Sequence, residues 1–185
     1  MNRKDLILFQ TTINRPLILD GAIGSLLQQR DVEMHEQLWS SYANIIAPDK
    51  VVKVNKEYIN AGADIITTNT FRTNPLAYKN ASLKISNSEF VKISVKLTKD
   101  AVAENNEIFI AGSNPPAEDS YQQYRTATKR EILTNHKNHI DMLWENEVDF
   151  ILNETQSYFD EIKIICEHCS KNTIPFIISL CDAST

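Results

Sequence analysis

Short apolar runs that stop on polar residues alternate along this chain with longer segments whose apolar positions recur every three or four residues. The run PLILDG at 16–21 reads as a short buried strand, and DIITTNT at 64–70 as a second, rich in β-branched residues. Between them, PDKVVKVNKEYINAG at 48–62 puts Val51, Val54 and Tyr58 on one helical face. Pro48 there suits the first turn and Gly62 the stop. The alternation then repeats. Ser86 and Glu89 have capping-box spacing ahead of a helix striped by Phe90, Ile93, Leu97 and Ala101, and the strand IFIAGS follows at 108–113. Thr128 and Glu131 are spaced to cap a helix carrying Ile132, Ile140 and Leu143, which leads to the strand VDFILNET at 148–155. A fourth helix, from Ser157 to about Asn172 with Phe159, Ile162, Ile165 and Cys169 inward, runs through Pro175 into a fifth strand, FIISLCDA, at 176–183.

Near-continuous apolar strands alternating with helices predict a parallel sheet covered by those helices. A doubly wound open sheet is complete at five strands, whereas a (β/α)8 barrel usually takes about 250 residues and would be only partly present here. Periodicity does not choose between them. The connection NPPAEDSYQQYRTATK at 114–129 is longer than a typical link and reads as a functional loop.

Composition narrows the classes further. The 185 residues, 42% hydrophobic and 23% charged, suffice for one sizeable core, so a single domain over 1–185 is the default. The net charge of -5 is spread without a basic stripe, which sets nucleic acid aside. No apolar segment approaches the roughly 20 residues of a membrane helix, and Gln10 interrupts the run after the charged N-terminus, a poor signal peptide. The expected location is cytoplasmic. Three cysteines, all late in the chain, make no disulfide framework and agree with a reducing compartment.

Chemistry in either architecture gathers at the carboxyl ends of the strands. Those ends carry Asp20 and Gly21; Thr68, Asn69 and Thr70; Gly112, Ser113 and Asn114; Asn153, Glu154 and Thr155; and Asp182. Two carboxylates, Asp20 and Glu154, amid hydroxyls and amides suit the ammonium of an amino acid, and the backbone N–H groups around Gly21 and Gly24 suit its carboxylate. The bland alternative for any one of them is a helix cap, but recurrence on every strand weighs against it. Neither GxGxxG nor GxxxxGK[ST] occurs, and AGSNPP lacks the GxSxG elbow. In CEHC, Cys166 and Cys169 fall within the fourth helix with no second ligand pair elsewhere, so core cysteines are expected rather than zinc ligands. His136 and His139 read as surface or flank residues, and Trp39 and Trp144 as packing anchors.

Together, LILDGAIGSLLQQR, LWSSYANIIAPDKVVKVNKEYINAGADIITTNTFRTN, AGSNPPAEDSY and NETQSYFDEIK resemble the zinc-dependent homocysteine S-methyltransferases, the group of the homocysteine domain of methionine synthase and of betaine–homocysteine methyltransferase. The resemblance runs from about Leu17 to Ala183. It implies a (β/α)8 TIM-barrel fold, truncated here after about the fifth strand, in a single incomplete homocysteine-binding domain. It also implies roles in homocysteine binding for Asp20 and Gly21 as the DG element, for Thr70 in the TNTF-like element, and for Glu154 as the acid on the substrate amino group. The reaction implied is methyl transfer from a small donor to the homocysteine sulfur, giving methionine, with zinc bound to thiolates lowering the thiol pKa. The zinc ligands of the family, a cysteine after the sixth strand and an adjacent pair near the eighth, lie beyond the fifth strand, where this chain ends. No residue here is expected as catalytic or as a metal ligand, Cys181 included. Asn55 stands where the family commonly has histidine, and GSNPP resembles the branch that uses S-methylmethionine or S-adenosylmethionine. The open edges of such a partial barrel favour self-association. The alternative is a non-catalytic fragment or interaction module that pairs with another chain through its open edge.

Overall fold

The computed structural model describes residues 5–103, 105, 107–119, 122 and 124–181. Four strands, β1 (Ile65–Thr67), β2 (Phe109–Asn114), β3 (Phe150–Gln156) and β4 (Phe176–Leu180), form one parallel sheet in the order β1-β2-β3-β4. The helices are α1 (Leu6–Ile13), α2 (Ile23–Gln28), α3 (Ala43–Ile46), α4 (Pro48–Asn60), α5 (Pro75–Lys79), α6 (Asn87–Val102), α7 (Lys129–Glu145) and α8 (Phe159–Lys171).

Alternate strand residues separate two apolar layers. Ile66, Ile110 and Ile151 face Val91, Val95 and Val102 of α6, Ile140 and Leu143 of α7, and Ile165 and Cys169 of α8. On the opposite face Ile65, Phe109, Ala111, Phe150 and Leu152 meet only Leu6, Phe9 and Leu17 among partly buried apolar residues. The long helices after the strands thus cover one face, and the strands follow sequence order without a switch. That is the barrel arrangement and not the doubly wound one.

The expected caps form: the Ser86 side chain accepts from the Glu89 N–H, and Thr128 and Glu131 complete a reciprocal capping box. Pro48 opens α4, and Gly62 takes φ +100 just past its end. Two expectations need correction. The strand expected at 16–21 shrinks to a single parallel bridge, Leu19 to Ile65, because the Asp64 carboxylate takes the Ile18 N–H (2.9 Å) that a longer ladder would use. Asp64 is fixed for this by a bidentate pair with Arg15 at 2.6 and 2.7 Å. Phe159, expected inward, is 80% exposed, since it opens α8 before the helix settles against the sheet at Ile165. The short α1 was not foreseen; it packs Phe9 edge-on against Phe109 at a centroid distance of 5.1 Å. Among the described residues no helix is long and apolar enough to cross a membrane.

Candidate functional site

Parallel pairing brings the carboxyl ends of all four strands to one rim. Asp20 enters that rim from the segment beside β1. Its N–H donates to the Ile65 carbonyl (3.0 Å), and its Oδ2 accepts from the Thr67 N–H (2.8 Å) and the Thr67 hydroxyl (3.0 Å). Glu154 arrives from β3 at an irregularity: the β3–β4 register shifts between Asn153 and Gln156, and Thr155 sits at φ +51. Such a bulge re-aims the side chain it carries. The Ser113 hydroxyl, from the end of β2, donates to Glu154 Oε1 at 2.5 Å.

Asp20 sits close enough to feel the Glu154 charge. Burial first, and then the Glu154 charge, push the Asp20 carboxyl up to about 6, although the Thr67 hydrogen bonds oppose the shift. Burial likewise raises Glu154, with the Ser113 hydroxyl pulling the other way. Such a pair holds negative charge at a desolvation cost, which a cationic ligand offsets.

Beside them lies a cleft of about 200 Å³ lined by residues 21–24, Trp39, Ser40, residues 67–69, Phe71, Arg72, Ser113 and Glu154. A Cβ at Gly21 would come within 2.8 Å of the Tyr58 hydroxyl, so the turn after Asp20 lies directly against α4. Asn69 anchors the far wall, donating to the Ser40 carbonyl (2.8 Å) and to Asn44 Oδ1 (3.0 Å). Thr70 is fully buried, its hydroxyl donating to the Ser113 carbonyl (2.7 Å) beside the Thr68 hydroxyl, so it braces this wall from behind. An adjoining cavity of about 170 Å³ shares Trp39, Phe71 and Arg72 and adds Pro116, Glu118, Asp119 and Thr155. The long loop after β2 therefore supplies part of the rim.

Several residues differ from their sequence reading. Trp39 is no packing anchor: it is 38% exposed, takes φ +47, stacks on Phe71 at 6.0 Å and carries the Arg72 guanidinium at 3.9 Å from its ring centre. His136 and His139 are fully buried instead of flanking, because α7 turns them toward polar partners at the sheet rim. His136 pairs with Glu161 (2.6 Å) and with the Asn114 side chain (3.2 Å), and His139 pairs with Asn114 Oδ1 (2.8 Å) and Thr73 (2.9 Å). Burial, with the neighbouring His136, lowers His139 to about 3, so it is neutral at physiological pH. Glu161 also accepts from the Ala117 N–H (2.8 Å) and pairs with Arg125 (2.9 Å), which ties the long loop to α8. Asp182 lies outside the described residues.

The thiols do not fit a zinc centre at this rim. Cys169 is sealed in the core on the inner face of α8, and burial first, with Cys166 and Asp141 adding, pushes it up to about 12, far from thiolate character. Among the described residues no group of three or more His, Cys, Asp or Glu is arranged to hold a metal.

A family model described as Homocysteine S-methyltransferase matches residues 17–184. Homocysteine S-methyltransferase 4 of Zea mays is 25% identical over 179 residues, covering 85% of this chain and 52% of its own length. Homocysteine S-methyltransferase of Escherichia coli K12 is 26% identical over 165 residues, with 82% and 53% covered. The metallated form of the Escherichia coli homocysteine methyltransferase MmuM superposes with a TM-score of 0.77 at 22% identity, over 90% of this chain and 64% of that one. The chain spans about half the length of the curated relatives it matches. The match of a family model to nearly every residue from 17 onward, together with a fold that follows the same barrel, leads to one conclusion: this chain belongs to the homocysteine S-methyltransferase family.

Proposed function

We propose that residues 1–185 form one incomplete barrel domain carrying the amino-acid-binding part of a homocysteine S-methyltransferase site. Asp20 and Glu154 hold the substrate ammonium, the turn at Gly21 lies along the ligand, and Thr70 braces the wall that presents Ser113. The observation that carries this reading is the convergence of two partly buried carboxylates, one raised to about 6, beside a cleft sized for an amino acid.

The reaction moves a methyl group from a small donor to the homocysteine sulfur. The thiol loses its proton, the S–CH3 bond forms as the donor's bond to methyl breaks, and methionine leaves. In this family thiolate-bound zinc activates the sulfur. The described residues supply no such set, so what this chain contributes is binding and orientation.

The test is calorimetric titration of the full chain with L-homocysteine under reducing conditions at pH 7. Glu154→Ala should weaken binding roughly 30-fold, in line with loss of a charge-assisted contact of about 2 kcal/mol. Cys169→Ala should leave affinity unchanged. Equal effects of the two substitutions would sink the site assignment.

A further inference from the structure

The rim holds a largely buried cation that is only weakly compensated among the described residues. Arg72, in the loop after β1, has a side chain only 13% exposed, and its one ion pair among the described residues is a long 3.8 Å approach to Asp119. Its backbone N–H is bonded to Ser41, but its guanidinium, with five N–H donors, makes no hydrogen bond among the described residues, and Nε is sealed from solvent. Burial also pulls its pKa below the ordinary arginine value. A desolvated, unbonded guanidinium is costly, and one facing a cleft calls for an acceptor from outside the chain. Trp39 covers the guanidinium at 3.9 Å from its ring centre, and of the three nitrogens only Nε is sealed without a partner, so the terminal fork suits a planar, bidentate anion. The same cleft is lined by Glu154 and by the turn after Asp20. It therefore presents the Glu154 acid, electrostatically linked to Asp20 across the turn at Gly21, together with a guanidinium that makes no hydrogen bond among the described residues, the pattern that suits a zwitterion.

We propose that Arg72 receives the carboxylate of the amino acid whose ammonium Asp20 and Glu154 hold. This rests on the amino-acid reading above and assigns the ligand's other end to a side chain instead of to the backbone N–H groups of residues 21–24. Arg72 is then what separates α-amino acids from simple aminothiols.

The experiment is a ligand-and-mutant cycle on the full chain: L-homocysteine against 3-aminopropanethiol, which has the same thiol and ammonium but no carboxylate, each titrated into wild type and Arg72→Gln. Wild type should bind homocysteine about 30-fold more tightly than the aminothiol, the scale of a charge-assisted hydrogen-bonded pair. In Arg72→Gln the two ligands should bind alike, with the aminothiol unaffected by the substitution. Arg72→Lys, which keeps the charge but not the fork, should restore part of the preference. Arg72→Met, which keeps an unbranched stem against Trp39, serves as the second neutral variant should Arg72→Gln fail to fold. An undiminished preference for homocysteine in the neutral variant, or an equal loss of both ligands, would overturn the assignment while leaving the amino-acid site standing. Wild type that binds neither ligand would overturn the amino-acid reading itself, and this inference with it.

Discussion

Asp20 is a candidate site residue held in place at the expense of the fold. Its carboxyl is raised from the ordinary 3.8 to about 6, so the folded state holds the proton more tightly than the unfolded chain. The stability this provides is fully present below about pH 4 and is lost as pH rises through about 6. Asp20→Asn keeps an acceptor for the Thr67 N–H and removes the charge. Urea unfolding should find the variant more stable than wild type by about 1–3 kcal/mol above pH 7, with the gap closing as pH falls toward 4. A gap that does not change with pH would show that charge is not the cause. His139 works in the opposite sense: lowered from 6.5 to about 3, it contributes stability above 6.5 that is lost as pH falls. The two effects oppose each other between about pH 4 and 6, so removing Asp20 should also steepen the acid limb of the wild-type profile.

At the scale of elements, the site depends on short departures from regular structure. The turn at residues 21–24 presses on α4 so closely that Gly21→Ala would drive a methyl into the Tyr58 ring, with contacts of 2.8 to 3.1 Å. Such overpacking costs about 1–3 kcal/mol. Thermal melts should show that loss, and adding Tyr58→Phe, which removes the nearest of the three atoms, should recover part of it. No recovery would place the strain elsewhere. The elements themselves were legible: apolar runs closed by Asp, Thr or Asn marked the strand ends, and Ser86 and Thr128 marked helix starts at the positions where they act as caps. The bulge that aims Glu154 was not, because ILNET reads as an uninterrupted strand and nothing local separates Glu154 from a regular position. The two histidines of α7 were misread for a related reason. A polar pair three residues apart on a helix looks like a solvent flank, and their partners Asn114 and Glu161 lie 22 to 25 residues away in sequence.

For the whole molecule, the choice between an open sheet and a barrel came from topology that periodicity does not encode. The order β1-β2-β3-β4 and the confinement of the long helices to one face decide it. The candidate acids were found because strand ends in a parallel sheet must share a rim, an argument that holds before any distance is known. Trp39, Phe71 and Arg72 were missed because their grouping depends on a loop held in place by Asn69, and a lone aromatic in a sequence reads as core. That grouping also has a practical use. The protein has two tryptophans, and Trp144 is packed against the apolar layer under the helices, while Trp39 stands half open at the mouth with a guanidinium on its face. A ligand whose carboxylate pairs with the guanidinium on the indole face changes the surroundings of one emitter and leaves the other as an internal reference. Homocysteine should therefore shift the intrinsic emission of wild type, and Trp39→Phe should abolish the shift while Trp144→Phe preserves it. The chain would then report its own occupancy optically, without any added label.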